Sequence, residues 1–164
     1  MTSTSFLKIS PARRLLAGAA LLAVLAAPAL VHAQPAPLKV DGAWARTVLP
    51  GQASSGAYMT LTAREPLTLV GAESPAAGII EIHQMKMEGD VMKMRAVDTL
   101  ELPAGKPVEF KPGGYHFMLM DLKAKFSTGS TVPMTLQFRD AQGKPRELKL
   151  AVPVTMAAPA AQKH

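Results

Sequence analysis

The chain has 164 residues, a length that favours one folded domain over two. Its formal charge is +6, but Lys8, Arg13 and Arg14 precede an apolar N-terminal run, and the rest of the chain holds 15 basic and 12 acidic residues, or +3. Only 5% of the residues are aromatic and the basic residues are dispersed, which argues against nucleic-acid binding. The chain has no cysteine, which excludes disulfides and thiolate chemistry.

Residues 1–33 are predicted to be a signal peptide. Basic residues lead into an apolar run over 15–30. Val31-His32-Ala33 then presents small residues at the two positions that a signal peptidase reads, and cleavage is expected after Ala33. Export to the periplasm would follow. A membrane anchor is the alternative, but the run has only about 17 residues and contains Pro28. The Arg13-Arg14 pair leaves general secretory and twin-arginine export open, and no cysteine follows for a lipid anchor.

The mature chain shows alternating or β-branched runs separated by turn residues, which predicts an all-β fold of the antiparallel sandwich or barrel type. This single β-domain is expected to span 34–155, and residues 156–164 are expected to be a flexible tail. The predicted strands cover 38–46, 55–62, 67–73, 79–87, 91–100, 115–122, 132–139 and 147–154.

The pair Gly89-Asp90 predicts a two-residue turn of type II′ between two of these strands. Such a turn places Met87 opposite Met92 and Met85 opposite Met94. His83 and Met94 then become diagonal neighbours, within reach of one ion. Because side chains alternate along a strand, one face carries sulfur and imidazole groups and the other carries polar groups. The first set is His83, Met85, Met87, Met92 and Met94, and the second is Gln84, Lys86, Lys93 and Arg95.

A third strand repeats the pattern, with His116, Met118 and Met120 on one face. Gly113-Gly114 predicts a tight turn just before it, which would deliver His116 at the start of the strand. The three segments are expected to converge on one methionine-histidine cluster at a sheet end.

Imidazole nitrogen and thioether sulfur together form a soft, neutral ligand set that favours Cu(I) over zinc, iron or magnesium. The alternative is packing, because methionine is a common core filler. That interpretation suits Met59 and Met134, and Trp44 and Tyr58 are expected to lie in the core or at its rim. The high density of methionine between two histidines favours a metal site.

The spacing of His83, Met94, His116 and Met118 matches the H-x10-M-x21-H-x-M signature of the periplasmic copper chaperones of the PCuAC type. The surrounding sequence also resembles that family, for example Lys-Pro-Gly-Gly-Tyr-His-Phe-Met-Leu-Met over 111–120. The similarity covers nearly all of 38–153. It implies a cupredoxin-like Greek-key β-fold and one Cu(I) held by those four side chains.

The resemblance also implies delivery of Cu(I) toward the CuA centre of cytochrome c oxidase. The expected partners are apo copper acceptors such as cytochrome c oxidase subunit II or a Sco-type thiol chaperone. Some relatives bind Cu(II) through a longer His/Met-rich tail; only Met156 and His164 of that kind stand in this tail, which argues against a second site there. We expect a monomer that is not inserted in the membrane after cleavage.

Three other functions compete with this interpretation. An electron-transfer cupredoxin needs a cysteine thiolate, which the chain lacks. A copper-sequestering resistance protein would use the same ligands, so storage stays open beside delivery. A structural β-sandwich with packed methionines also stays open. An enzyme is not expected, because the sequence offers no Ser/His/Asp or Cys/His set.

Basic residues beside the predicted site suggest a positive flank that could steer an acidic acceptor. Ordinary solubilising charge is the alternative explanation. The residues concerned are Lys86, Lys93, Arg95, Lys111 and Lys123.

Overall fold

The computed structural model describes residues 38–158, which lie in one compact unit, Pro35–His164. The predicted signal peptide, its cleavage after Ala33 and residues 159–164 of the predicted tail fall outside the described residues. Within the described range, no helix is long and apolar enough to cross a membrane.

The regular structure of residues 38–158 is β throughout, as predicted. Seven strands match a predicted run to within two residues at each end: β1 (Leu38–Arg46), β2 (Ser54–Ala63), β3 (Leu67–Glu73), β4 (Ala77–Glu88), β8 (Tyr115–Leu122), β9 (Thr131–Asp140) and β10 (Pro145–Thr155). The others are β5 (Val91–Ala96), β6 (Leu100–Leu102) and β7 (Pro107–Phe110).

The predicted single strand over 91–100 is wrong, because the chain changes partner in the middle of it. β5 pairs with β4 as far as Ala96, and the Val97 N–H then donates to the Ile82 carbonyl at 2.8 Å. After that bond the chain leaves β4 and joins β3 as β6, with Leu100 opposite Leu69. The short strand β7 was also missed by the sequence prediction.

The strands form one continuous hydrogen-bonded order, β5-β4-β8-β7-β2-β1-β10-β9-β3-β6, with β8 also pairing with β2. The pairs are antiparallel except β1–β10 and β7–β8. Many neighbours in this order are distant in sequence, and the strands share a single apolar core. The core is built from both halves of the order and includes Ile82, Phe117, Leu69, Leu136 and Val152.

Alternation on β4 and β8 separates the core from the predicted ligands. Ile82 and Phe117 point into the core, so their neighbours His83 and His116 point to the opposite face of the sheet. Met59 and Met134 are each 2% exposed, which confirms that they are core residues. The methionine-histidine cluster is therefore built on the outer face, on strands anchored by the core beneath.

Candidate metal centre

The β4–β5 hairpin has the predicted register. Met87 lies opposite Met92, Met85 opposite Met94 and His83 opposite Ala96. Gly89 has a φ of 63°, and Asp90 is not among the described residues with positive φ, which is the combination that a type II′ turn needs. As a result His83 and Met94 meet diagonally, with 3.1 Å between His83 Nδ1 and Met94 Sδ.

The second histidine comes from β8, the neighbour of β4 on its other side. His116 lies directly opposite His83, and the two rings meet edge to face with centroids 5.6 Å apart. The predicted tight turn precedes it: Gly113 has a φ of 82°, and the Gly114 N–H donates to the Lys111 carbonyl at 3.0 Å. The turn therefore delivers His116 as the second residue of its strand.

Met118 lies one pair further along the same face. It is opposite Glu81 on β4 and opposite Gly56 on β2. A side chain at Gly56 would collide with the Tyr58 hydroxyl, because a Cβ there would lie 2.5 Å from that oxygen. The structure thus brings His83, Met94 and His116 together and places Met118 beside them.

Glu81 contacts His83 and was not predicted as a site residue. His83 Nε2 lies 2.7 Å from Glu81 Oε2, so this nitrogen donates its hydrogen to the carboxylate. In the neutral ring Nδ1 then carries the lone pair, and it faces the Met94 sulfur. Two electron-pair donors at this distance suit a shared soft cation. A carboxylate on the far nitrogen is the usual support of a metal-binding histidine. The i, i+2 spacing was the available sequence signal.

His116 has the opposite arrangement of its ring nitrogens. Its Nδ1 donates to the Gly114 carbonyl at 3.3 Å, which leaves Nε2 with the lone pair. Burial lowers the pKa of His116; the bond to Gly114 opposes this shift, and the charges of His83 and Arg46 add to it. The imidazole therefore stays neutral, the form that binds metals, in more acidic solution than a free histidine would.

An aromatic wall stands beside His116. Trp44 stacks on Tyr58 with centroids 4.5 Å apart, the Tyr58 ring lies 6.2 Å from His116, and the Arg46 guanidinium lies over Tyr58. Both aromatic rings are buried, yet neither belongs to the main apolar core. Trp44 and Tyr58 are thus buried, as predicted for residues in the core or at its rim, and they also lie beside the candidate site.

Exposure is graded across the cluster. His116 is 5% exposed, the His83 side chain is 14% exposed and Met94 is 50% exposed. The buried aromatic wall covers the His116 side, so an incoming molecule reaches the cluster from the hairpin side, where Met94 lies.

The expected basic flank is largely paired with carboxylates. Lys93 and Arg95 both contact Glu88, at 2.8 Å and 2.5 Å. Two more predicted members are paired as well, Lys111 with Glu109 and Lys123 with Asp121. Lys86 has no such partner among residues 38–158. The flank therefore carries less net positive charge than its lysines and arginine alone suggest.

No three His, Cys, Asp or Glu side chains come together to hold a metal in the part of the chain that the structure describes. The groups that come together at this site are the imidazoles of His83 and His116 and the neighbouring thioethers of Met94 and Met118. A four-ligand centre built from these groups therefore includes methionine sulfur, which favours Cu(I).

Comparisons with known proteins agree with this geometry. The family model "Putative lipoprotein LpqE-like" matches residues 38–154. "Putative lipoprotein Lxx21020" of Leifsonia xyli subsp. xyli is 31% identical over 118 residues, 71% of this chain and 69% of the relative. The solution structure of Cu(I)-DR1885 from Deinococcus radiodurans is 35% identical at a TM-score of 0.57, covering 77% of this chain and 83% of that one.

A second solved structure, the copper-bound PCuAC domain from PmoF2, is 25% identical at a TM-score of 0.55. The match covers 73% of this chain and 94% of that domain. The predicted resemblance to PCuAC domains and the predicted cupredoxin-like fold are thereby confirmed.

Proposed function

The chain belongs to the LpqE-like family, and on that premise we propose that it is an extracytoplasmic metallochaperone for Cu(I). The proposed ligands are His83, Met94, His116 and Met118. The observation that carries the proposal is the 3.1 Å distance between His83 Nδ1 and the Met94 sulfur, beside a His83 Nε2 that lies 2.7 Å from the Glu81 carboxylate. In the neutral ring whose Nε2–H donates to Glu81, Nδ1 and the sulfur both present lone pairs. A soft cation is the partner that both atoms lack.

The ligand set also fits the cargo in charge and rigidity. Four neutral ligands leave copper with its single positive charge, and the Glu81 carboxylate balances that charge from beside His83. Both histidines stand on strands fixed by the core, and each imidazole is oriented by an acceptor on its other nitrogen. Copper-bound relatives of the same fold support copper as the ion.

Release by ligand exchange follows from the graded exposure. Met94 is the most exposed of the four proposed ligands, so an acceptor's ligand can replace its sulfur first. A thiolate is a stronger ligand for Cu(I) than a thioether, so transfer to a thiol acceptor is downhill. We propose delivery toward the CuA centre of cytochrome c oxidase, through subunit II or a Sco-type thiol chaperone.

Export to the periplasm, a monomeric state and the absence of enzymatic activity belong to the same proposal. The lipoprotein description of the Leifsonia relative supports a place outside the cytoplasm.

Transfer to an acceptor separates delivery from storage, the alternative function. The Cu(I)-loaded protein is mixed anaerobically with an apo acceptor that carries the CuA cysteines, and copper on each protein is measured after separation. We expect most of the copper on the acceptor within minutes. If the acceptor has the higher Cu(I) affinity and the copper nevertheless stays on the donor, the result would favour sequestration over delivery.

A further inference from the structure

The hairpin carries three methionines beyond the proposed ligand set. Met85, Met87 and Met92 project from the same face as His83 and Met94. Met87 and Met92 form the cross-strand pair nearest the turn on that face, and Met85 and Met94 form the next pair. Thioethers thus continue from the proposed copper site to the tip of the hairpin.

Backbone hydrogen bonding sets how closely these pairs approach. The Met85 N–H donates to the Gly114 carbonyl of the β8 side at 3.0 Å, so its backbone is turned away from β5. By alternation, Met85–Met94 and Met87–Met92 are both non-hydrogen-bonded pairs of the hairpin. Such pairs have the shorter Cα separation, about 4.5 Å, and their side chains lie closest together. Two sulfur atoms can therefore face one ion at each pair.

Core packing does not account for these side chains. Met87 and Met92 are 52% and 48% exposed, whereas the core methionines Met59 and Met134 are each 2% exposed. Every residue of β5 is exposed, and β5 is the last strand of its edge. The charged residues that keep the hairpin soluble lie on its other face, where Glu88 binds Lys93 and Arg95.

We propose that Met87 and Met92, with Met85, form a second and weaker Cu(I) site at the hairpin tip, through which copper enters and leaves the His83 site. This inference rests on the proposed function. The second site is weaker because it has only thioethers, no imidazole, and is open to water. Successive side chains on one face of a strand are about 7 Å apart, so the Met85–Met94 pair, which has one sulfur in each site, links the tip to His83.

Movement between the two positions is ligand exchange. One Cu–S or Cu–N bond forms as a Cu–S bond breaks, copper stays in the +1 state, and neither an electron nor a proton is transferred. The soft cation passes from the thioethers of the tip to the imidazoles beneath. The same path in reverse presents copper to an acceptor at the most exposed part of the cluster.

The test is an anaerobic Cu(I) titration of the purified protein against a chromophoric competitor, followed by NMR of the methionine methyl groups. The parent protein should bind one equivalent tightly and a second more weakly, and the second should shift the methyl signals of Met87 and Met92. The Met87→Leu/Met92→Leu double variant should keep the first equivalent at unchanged affinity and lose the second. Leucine keeps the apolar area and removes the sulfur, and such exchanges are well tolerated.

Met120→Leu is the matched control, because Met120 lies on the same outer face but on β8, away from the hairpin. It should retain both equivalents. The inference is overturned if the parent binds only one equivalent, if the double variant still binds two, or if the methyl signals of Met87 and Met92 do not shift. Failure of the proposed function is a different result, namely a first equivalent that leaves the His83 and His116 signals unmoved.

A surface on which an acceptor protein docks would also explain the exposed methionines, and it predicts a different result in copper-transfer experiments. In that case copper transfer would survive leucine at both positions but fall with Met87→Ser/Met92→Ser, since only apolar area would matter. That result would overturn the thioether site.

Discussion

The two histidines use opposite ring nitrogens because their hydrogen-bond acceptors differ. A side-chain carboxylate holds His83 at Nε2, and a backbone carbonyl holds His116 at Nδ1. Each acceptor fixes a tautomer before copper arrives, so binding does not have to select one. The orientation of the two imidazoles therefore depends on Glu81 and on the turn at Gly114, as well as on the strands that carry the proposed ligands.

Replacement of Glu81 should weaken copper binding through His83. Glu81→Leu removes the acceptor and the charge, and we expect Cu(I) affinity to fall by roughly 10- to 100-fold, the usual loss for such a partner. Glu81→Gln keeps an acceptor oxygen and should lose less Cu(I) affinity.

Nitrogen-15 NMR of the apo protein should show the Nε2–H tautomer of His83 in the parent and in Glu81→Gln, but mixed tautomers in Glu81→Leu. Glu147→Gln, an exposed carboxylate on β10, is the control. Unchanged tautomers in all variants would refute the role of Glu81.

His116 should make the apo protein sensitive to acid. Burial lowers its pKa in the folded state, so below its ordinary value of 6.5 the unfolded chain binds more protons than the folded one. Above pH 6.5, His116 should therefore have no effect on the free energy of unfolding. As the pH falls from 6.5 toward the lowered pKa of the folded state, the free energy of unfolding should decrease. His116→Asn keeps a donor to the Gly114 carbonyl but cannot titrate. Urea unfolding between neutral and mildly acidic pH should show a smaller loss for this variant, and equal losses would contradict the assignment.

At the scale of elements, the β4–β5 hairpin brings Met94 to His83, and its turn sets the register. Gly89 adopts a φ of 63°, and a Cβ added there would have no neighbouring atom within 4 Å. A side chain at this position would therefore be strained but would not collide. Any effect of a substitution comes from the backbone conformation.

Gly89→Ala should loosen the hairpin, because a left-handed conformation costs a residue with a side chain about 1–2 kcal/mol. We expect faster amide exchange in β5 and weaker Cu(I) binding, while exchange in the core strand β9 changes little. Asp90→Ala is the control, since this neighbour does not have a positive φ. If Asp90→Ala has the larger effect on copper affinity, the turn does not set the site.

The sequence was sufficient to predict the pairing of residues within one hairpin. It was not sufficient to predict the pairing of strands that are distant along the chain. The pairing of Met85 with Met94 depends only on a two-residue turn and could be predicted. The pairing of His83 with His116 joins strands separated by β5, β6 and β7. Side-chain alternation suggested that these segments converge, but no local rule gave the register of the pair. Glu81 was not predicted as a site residue because exposed carboxylates are common on protein surfaces, and its contact with His83 is visible only in the structure. β6 and β7 are too short to show a period of two.

At the scale of the whole molecule, the charge around the site bears on how fast an acceptor arrives. Most of the predicted flank is paired, although Lys93 and Arg95 share the single carboxylate of Glu88. Lys86 is the member of the flank without a carboxylate partner within residues 38–158. Steering by a positive flank acts on association rate more than on affinity.

Lys86→Gln should slow copper transfer to an acidic acceptor at low ionic strength and leave Cu(I) affinity unchanged. The difference should shrink as salt rises past about 0.15 M, where the Debye length is near 8 Å. Lys123→Gln, whose parent lysine is paired with Asp121, should have a smaller effect. Stopped-flow measurement of the copper-transfer rate tests this prediction. Equal rates for both variants and the parent at low salt would show that the flank is ordinary surface charge.

The central claim is that His83, Met94, His116 and Met118 hold one Cu(I). Competitive titration with Cu(I) and with Zn(II), on the parent and on Met94→Leu and Met118→Leu, tests it most directly. We predict one tight Cu(I), a clear preference over Zn(II), and weaker Cu(I) binding in both variants with the fold retained, since Met-to-Leu exchanges usually cost under about 1.5 kcal/mol. The core control Met59→Leu should bind copper as the parent does. Zinc that copper does not displace, or a loss in Met59→Leu equal to that in Met94→Leu, would contradict the claim.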